Sequence, residues 1–238
     1  MSRLLLALVP LAIGVAIAGI VSSPSKVRPC AKTYSKGFTG GVSHVDLGRD
    51  GALWATEGRN DKIARFDTQK QVATEFDLPN GTEPHDLAVG PGQDLWFSAF
   101  NGGLGRFDPE TKKVEFIRRP SRGAQPHVWW ADDGRGYFGD VTTGKLTTFD
   151  PETERFTPMS YNLPANSGIH GFVELPDGTT WWTLQGSDQL AHFDRKGGRF
   201  DQFVDLPKGS GPHWLVLDPS QEVIWVALLY ANELARTT

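Results

Sequence analysis

The stretch Glu83–Phe97 reads EPHDLAVGPGQDLWF, and close variants of it recur along the chain. It begins with Glu-Pro-His, alternates apolar and other residues, turns at Gly90-Pro91-Gly92 and rises again through Leu95-Trp96-Phe97. Two short apolar runs joined by a glycine-rich turn predict a β-hairpin. The stretch is therefore half of a repeating β unit.

Three markers repeat together at a nearly constant interval. Histidines lie 41 to 43 residues apart, at His44, His85, His127, His170 and His213. A bulky aromatic residue follows each histidine after 10 to 12 residues, at Trp54, Trp96, Tyr137, Trp181 and Trp225. Phe-Asp pairs begin at Phe66, Phe107, Phe149 and Phe193. Three markers in the same register indicate a true internal repeat.

Each repeat has room for four short strands. In the first repeat we predict strands at His44, at Trp54 after an Asp50-Gly51 turn, at 62–67 and at 73–78. Four strands in a period of about 40 to 50 residues are typical of a β-propeller blade, whose first strand lines the central channel. We therefore predict an all-β propeller of about five four-stranded blades over residues 41–238, with almost no helix.

The fifth repeat is short, with three predicted strands before the sequence ends at Thr238. Two explanations remain open. A strand at Thr33-Tyr34-Ser35, in the linker 24–40, would supply the missing outer strand and close a five-bladed ring. Alternatively, the chain is a truncated relative of a larger ring.

The N-terminal residues 1–23 differ from the rest of the chain. Arg3 precedes an apolar or small run over residues 4–21, with small residues near Ala18 that would suit cleavage. We expect a cleaved secretory signal or, because the run is just long enough to span a bilayer, an uncleaved membrane anchor. Either interpretation places the repeats outside the cytoplasm, secreted or periplasmic.

Composition excludes several other functions. The net charge of −4 and pI near 5.9 give no basic surface for nucleic acid. The single cysteine, Cys30, allows neither an intrachain disulfide nor a cysteine-rich metal site. We expect a monomer that touches a membrane only through its N-terminal segment.

The repeated line Pro-His-x-hydrophobic, then Gly-Pro-Gly or Asp-Gly, Leu-Trp-Phe and Leu-Gly-Arg-Phe-Asp-Pro-Glu-Thr resembles the virginiamycin B lyase (streptogramin lyase) family over about residues 41–236. The resemblance implies a seven-bladed propeller, so five repeats favour a truncated or reduced ring. It also implies a carbon–oxygen lyase that opens a cyclic depsipeptide at its ester by elimination. In that reaction Mg²⁺ held by glutamates polarises the ester carbonyl, and a histidine removes the adjacent proton.

The resemblance assigns site residues through the Glu-Pro-His motif. Glu83 matches the metal-binding glutamate, His85 the base, and His44 the histidine of the preceding blade. The position of the second glutamate is occupied by Ala99. Glu57, or less directly Asp140, stands nearly at that position in its own blade, and we expect Glu57 to join Glu83 at the metal.

The five repeat histidines share one position at the start of the channel-lining strand, so their side chains are expected to converge at one mouth of the channel. They either cap their strands through backbone hydrogen bonds, act as base or metal ligands, or together bind a transition metal such as iron, copper or zinc. We expect a small-molecule or peptide ligand at this mouth, lined by His127, His170, His213 and Asp140. His192 is out of register and is predicted on a blade surface.

Two further functions stay open beside the lyase. The same fold would suit a non-catalytic scaffold that binds a peptide, a glycan or a protein, or a metal-dependent lactone or ester hydrolase. Metal dependence separates both enzymes from the scaffold, and water incorporation separates hydrolysis from elimination. An exported enzyme suits resistance to a ribosome-targeting antibiotic poorly, so the resemblance is not taken to imply antibiotic resistance.

Overall fold

The computed structural model describes residues 32–237, with gaps at 93, 101–102, 119–125, 141–143, 160–161, 165, 219 and 221–222. The predicted signal or anchor over residues 1–23, and Cys30, lie outside the described residues. Within the described part, no helix is both long and apolar enough to cross a bilayer. The helix seen there is a single 3₁₀ turn at Gly58–Asn60.

Nineteen strands in the described part form five antiparallel sheets, each of which is one blade. Blade 1 contains β1 (His44–Leu47), β2 (Leu53–Glu57), β3 (Lys62–Asp67) and β4 (Val72–Asp77). Blade 2 contains β5 (Pro84–Val89), β6 (Leu95–Ala99), β7 (Gly103–Phe107) and β8 (Val114–Arg118). Blade 3 contains β9 (Pro126–Trp130), β10 (Gly136–Asp140), β11 (Leu146–Asp150) and β12 (Arg155–Pro158).

The last two blades follow the same order. Blade 4 contains β13 (Ile169–Glu174), β14 (Thr180–Leu184), β15 (Gln189–Asp194) and β16 (Arg199–Asp205). Blade 5 has three strands, β17 (Pro212–Leu217), β18 (Ile224–Leu228) and β19 (Glu233–Arg236). The predicted five-bladed, all-β propeller is confirmed, including the three strands of the last repeat.

Turn chemistry explains why the strands end where they do. The glycines of the predicted hairpin turns, among them Gly51 and Gly178, have φ of 73° and 81°, a region that favours glycine. Between third and fourth strands, the Asp108 and Asp150 carboxylates accept hydrogen bonds from backbone N–H groups two and three residues later. These aspartates build turns, as predicted.

Neighbouring blades pack face to face through large apolar side chains. Contacts that cross the four interfaces include Trp54 with Phe107, Trp96 with Phe149, Trp129 with Trp182, and Leu190 with Leu215. In blade 2, which lies between blades 1 and 3, all five residues of β6 are buried. Full burial of one such side chain contributes roughly 1.5–3 kcal/mol.

Within the described residues, blade 1 has one face that no other blade covers. Because side chains alternate along a strand, Thr56 and Ile63 face blade 2, whereas Val45, Leu47 and Phe66 lie on the opposite face. Val45 and Leu47 are 52% and 61% exposed. We call this surface the free face of blade 1.

The segment 34–40 covers the outer half of that face. The rings of Tyr34 and Phe38 lie 5.4 and 6.0 Å from the ring of Phe66, centre to centre, and the N–H of Ala73 donates to the carbonyl of Lys36. Residues 33–35 form no strand, and Tyr34 packs against blade 1. The structure therefore does not show the possible closing strand on blade 5, because aromatic packing on Phe66 holds Tyr34 at blade 1.

Blade 5 also has a free face, which carries Val216, Trp225 and Leu234, exposed by 52%, 38% and 71%. In the described part of the chain, no hydrophobic cluster joins blade 5 to blade 1. The two blades do meet near the axis, where the rings of His44 and Trp214 are 5.4 Å apart. The five blades are thus linked by four apolar interfaces, and both outer faces of the row carry exposed apolar side chains.

Candidate functional site

The repeat histidines lie at the first or second residue of each first strand and converge near the axis. Ring centres are 5.1 Å apart for His85 and His127, 4.4 Å for His127 and His170, and 3.6 Å for His170 and His213. His44 joins the group through Trp214, which also lies 6.1 Å from His170. The predicted convergence is confirmed, and we call these residues the histidine cluster.

Hydroxyl groups on the second strands place the histidine backbones. The Thr56 hydroxyl donates to the carbonyl of His85 at 2.8 Å and accepts from the N–H of His44 at 3.2 Å. Thr183 repeats the arrangement, donating to the carbonyl of His213 and accepting from the N–H of Gly171. Each of these hydroxyls fixes the first strand of its own blade against that of the next.

Asp86 is the centre of the cluster's hydrogen bonding, and the sequence analysis did not single it out. Its carboxylate is 1% exposed. One oxygen lies 3.0 Å from Nδ1 of His44 and the other 3.2 Å from Nδ1 of His127. The backbone N–H groups of Leu87 and Val128 also donate to it. An ionised carboxylate can only accept, so both imidazoles donate through Nδ1.

These contacts set the charges in the cluster. Burial alone would raise the pKa of Asp86, but the hydrogen bonds and charges of His127 and His44 outweigh it and hold that pKa well below its usual range. Burial likewise opposes the protonated form of His44, yet the Asp86 hydrogen bond and charge raise its pKa above the ordinary value. His44 and Asp86 therefore form an ion pair that persists to pH values above the usual titration range of histidine.

On the other side of the cluster, His170 and His213 favour the neutral form. Burial, together with the neighbouring histidines, lowers the pKa of His170 to about 3. Burial and His127 also lower the pKa of His213. One site thus holds a histidine biased towards its cation and two biased towards the neutral base, which is the separation that acid–base chemistry uses.

A cavity of about 340 Å³ lies in the channel beside the cluster, with lining residues from the first strands of all five blades. His44 and Asp86 form part of its wall, and so do the aromatic residues Trp129, Trp130, Phe172 and Trp214. Its volume is within the range of small-molecule sites. His44 is the cluster histidine in this wall, so the His44–Asp86 pair can act on a ligand held by aromatic side chains.

Glu57 does not join this site. It is 0% exposed and shares its face of blade 1 with Lys62, away from the face on which Thr56 contacts His85. Its Oε2 accepts from the N–H of Gly40 at 2.7 Å. Burial and then the charge of Glu75 raise the pKa of Glu57. The carboxyl group fixes the segment 34–40 to blade 1.

Glu83 is exposed and has a φ of 48°, and its backbone N–H donates to Asp61. Glu57 and Glu83 have different hydrogen-bond partners, Gly40 for the carboxylate of Glu57 and Asp61 for the backbone of Glu83. Among the residues that the structure describes, no three His, Cys, Asp or Glu side chains form a ready metal site. The two glutamates thus do not fit the magnesium site that the resemblance implies, because Mg²⁺ needs several oxygen ligands around one point.

Two further predicted positions can be placed. Asp140 ends β10 opposite Pro126, next to His127, while its side chain lies outside the described part. His192 lies on β15 with its Nδ1 2.5 Å from an Asp201 oxygen. His192 thus lies outside the histidine cluster, with its side chain 16% exposed.

The sequence contains signals for the residues that were missed. Thr56, Ser98 and Thr183 each follow a repeat histidine by 12 or 13 residues, and the Ser98 hydroxyl accepts from the N–H of Asp86. A hydroxyl at a fixed repeat position suggests a shared hydrogen bond. Asp86 is the one carboxylate directly after a repeat histidine, where other blades carry Val, Gly or Trp. Its contact with both His44 and His127 could not be predicted, because it depends on the curvature of the ring of blades.

A family model described as the virginiamycin B lyase family matches residues 37–237. Among solved structures, virginiamycin B lyase from Staphylococcus aureus superposes with a TM-score of 0.73 at 23% identity, covering 83% of this chain and 66% of that one. A streptogramin B lyase structure gives 0.72 at 23% identity, with 83% and 64% covered. This chain thus spans slightly less than two thirds of these proteins.

Other propellers with different described roles are also similar. An auxiliary nutrient binding protein from Bacteroides ovatus superposes with a TM-score of 0.65 at 13% identity, covering 85% of this chain and 61% of that one. No curated protein sequence matches this chain. At these identities the superpositions show a shared propeller fold.

Proposed function

Because this chain belongs to the virginiamycin B lyase family, we propose that it is a carbon–oxygen lyase that opens an ester in a cyclic depsipeptide or a related small molecule. The observation that carries the proposal is the histidine cluster, in which buried Asp86 holds His44 beside a channel cavity. Family membership by itself supports the fold and not the reaction. The oriented acid–base groups next to a ligand-sized cavity support the chemistry.

His85 is the proposed base, since it matches the proton acceptor in the Glu-Pro-His motif. Its half-buried ring packs edge-on against Phe100, 4.6 Å away centre to centre. In the proposed elimination, the proton on the carbon beside the carbonyl group moves to His85. The carbon–oxygen bond then breaks, the carboxylate leaves with the bonding electrons and a carbon–carbon double bond forms. A positioned base of this kind contributes about 10²–10⁴ in rate.

His44 is the proposed source of positive charge. Its Nδ1–H is held by Asp86, and the protonated ring would present Nε2–H to negative charge that develops on the substrate oxygen. A pre-oriented cation stabilises such charge strongly in a partly buried site. The glutamates do not fit a magnesium site, so no step of the proposed reaction passes through Mg²⁺.

A non-catalytic binding scaffold is the second candidate. The aromatic residues in the cavity wall favour it, and so does the fold shared with a propeller described as an auxiliary nutrient binding protein. Such a protein would retain the cavity and bind its ligand without changing it. The hydrolase has no observation of its own in the described residues, and the assay below detects it through its product.

The test is incubation of the full chain with a streptogramin B antibiotic and with a simpler cyclic depsipeptide, followed by mass spectrometry. We expect a ring-opened product of unchanged mass that contains a new double bond. His85→Gln should lower the rate at least 100-fold, whereas His192→Gln, outside the cluster, should leave it within two-fold. A product that gains one water would show hydrolysis, and binding without any product would favour the scaffold.

A further inference from the structure

Two buried histidines in the cluster carry ring nitrogens without a hydrogen-bond partner. His127 and His170 are only 3% and 7% exposed. Nε2 of His127 and Nδ1 of His170 have no partner within the described residues. A buried polar atom without a partner costs roughly 1–3 kcal/mol, and such an atom commonly marks an absent water or ion. Two of them on touching rings point to one shared ligand.

Asp86 orients the ring of His127. Because Nδ1 of His127 donates to this buried carboxylate at 3.2 Å, Nε2 is the ring nitrogen that remains to bind a ligand. Metal-binding histidines commonly donate their other N–H to a carboxylate in the same manner, which orients the ring and strengthens the donor. His127 therefore has the hydrogen bonding of a metal ligand.

His170 supplies a second nitrogen donor. Its ring is 7% exposed, and its Nδ1 has no hydrogen-bond partner within the described residues. Its centre lies 4.4 Å from that of His127 and 3.6 Å from that of His213. Imidazole nitrogens bind such ions at about 2.0 Å, so two rings this close can share one ion.

We propose that His127 and His170 bind one divalent transition-metal ion of borderline softness, such as Zn²⁺, Co²⁺, Ni²⁺ or Cu²⁺, through Nε2 and Nδ1 respectively. Imidazole nitrogen selects these ions over Mg²⁺ and Ca²⁺, which prefer oxygen. No third side chain stands ready among the described residues, so water completes the coordination. This site differs from the glutamate-held magnesium that the family resemblance implies.

The inference goes beyond the proposed lyase function and is tested without a substrate. The full chain, purified without a polyhistidine tag, is titrated with Zn²⁺ and Co²⁺ by calorimetry and visible absorption, with Mg²⁺ as the comparison ion. We expect one ion per chain with micromolar affinity, a Co²⁺ absorption band in the visible region, and no binding of Mg²⁺. His127→Gln and His170→Gln should each weaken binding at least ten-fold.

Two variants separate this site from other histidines and from misfolding. His192→Gln, whose histidine lies outside the cluster beside Asp201, should bind Zn²⁺ as the wild type does. Asp86→Asn should weaken binding about 10- to 100-fold while leaving both ligands in place. For the unaltered chain, Co²⁺ should shift the NMR ring signals of His127 and His170 and spare those of His192.

The inference is overturned if the unaltered chain binds no Zn²⁺ below millimolar concentration. It is also overturned if His127→Gln and His170→Gln, with unchanged circular dichroism, bind Zn²⁺ as the wild type does, or if His192→Gln abolishes binding. Loss of lyase activity bears on the proposed function alone, because none of these readouts involves turnover.

Discussion

At the scale of single residues, one buried carboxylate ties three blades together. Asp86 belongs to blade 2, while its hydrogen-bond donors include His44 of blade 1 and His127 and Val128 of blade 3. A buried charge is tolerated only when it is well paired, and removal of one partner leaves the others unmatched. Asp86 therefore stabilises the centre of the propeller while it orients the candidate site.

Asp86→Asn should lower the free energy of unfolding by about 3 kcal/mol, because the amide cannot accept from both imidazoles and leaves buried donors unpaired. Urea denaturation at pH 7, followed by tryptophan fluorescence, measures the change. Asp77→Asn is the matched control, since the Asp77 side chain is 88% exposed, and it should change stability by less than about 0.5 kcal/mol. Equal effects of the two substitutions would contradict the assigned role.

His170 should make the protein sensitive to acid. Burial, then the neighbouring histidines, lowers its pKa from 6.5 to about 3 in the folded state, so below pH 6.5 the unfolded chain takes up a proton that the folded chain does not. Its contribution to stability is present above pH 6.5 and is lost as the pH falls towards 3. Between pH 6 and pH 4.5, the urea midpoint should fall less in His170→Gln than in the wild type. The slope of the unfolding free energy against pH should differ between the two proteins by about 1.4 kcal/mol per pH unit. An identical slope in both proteins would refute the interpretation.

At the scale of elements, an inner blade is a sheet that packs against a neighbouring blade on each face. The middle strands accordingly alternate large and small residues, as Phe97 and Gly105 show on the paired strands β6 and β7. A Cβ at Gly105 would lie 2.0 Å from a Phe97 ring atom. The glycine is required by the space that this ring occupies.

Gly105→Ala should lower the free energy of unfolding by roughly 1–3 kcal/mol, because the buried ring of Phe97 must move against the neighbouring blade. Gly41→Ala provides the control, since a Cβ there meets no atom within 4 Å. Thermal and urea unfolding of both variants measure the difference. Equal stability of the two variants would show that the Phe97 ring has room to shift.

At the scale of the whole molecule, the row of blades ends in two free faces. Val45 and Leu47 on blade 1, and Trp225 and Leu234 on blade 5, remain exposed. The solved lyases that superpose on this chain are longer, and the chain covers 66% of the virginiamycin B lyase structure. Exposed apolar faces promote association, so sedimentation analysis is the test of the expected monomer.

The free face of blade 5 should bind a hydrophobic dye. The double variant Trp225→Gln, Leu234→Lys should bind less 1-anilinonaphthalene-8-sulfonate than the wild type, while its thermal midpoint changes little because both side chains are already exposed. Val204→Lys, at an exposed apolar residue of β16, serves as control and should leave dye binding unchanged. Undiminished fluorescence in the double variant would mean that the dye binds elsewhere.

The sequence by itself determined the repeat, the strands and the turns. Periodic histidines, aromatic residues and Asp-Gly turns are local features, and a strand or hairpin depends mainly on residues close in sequence. The strand at Lys62–Asp67 was predicted to the residue, and β4 was displaced by one. The convergence of the histidines also followed, because equal positions in radial blades must meet near the axis.

Only the tertiary structure decided which side chains cooperate. Glu57 and Thr56 are adjacent in sequence, yet pleating sends Glu57 to the free face and Thr56 to the carbonyl of His85. Asp86 is 42 residues from the nearest histidine of another blade in one direction and 41 in the other, and ring curvature alone brings His44 and His127 to its two oxygens. Contacts between blades depend on how sheets pack in three dimensions, and no spacing along the chain encodes that.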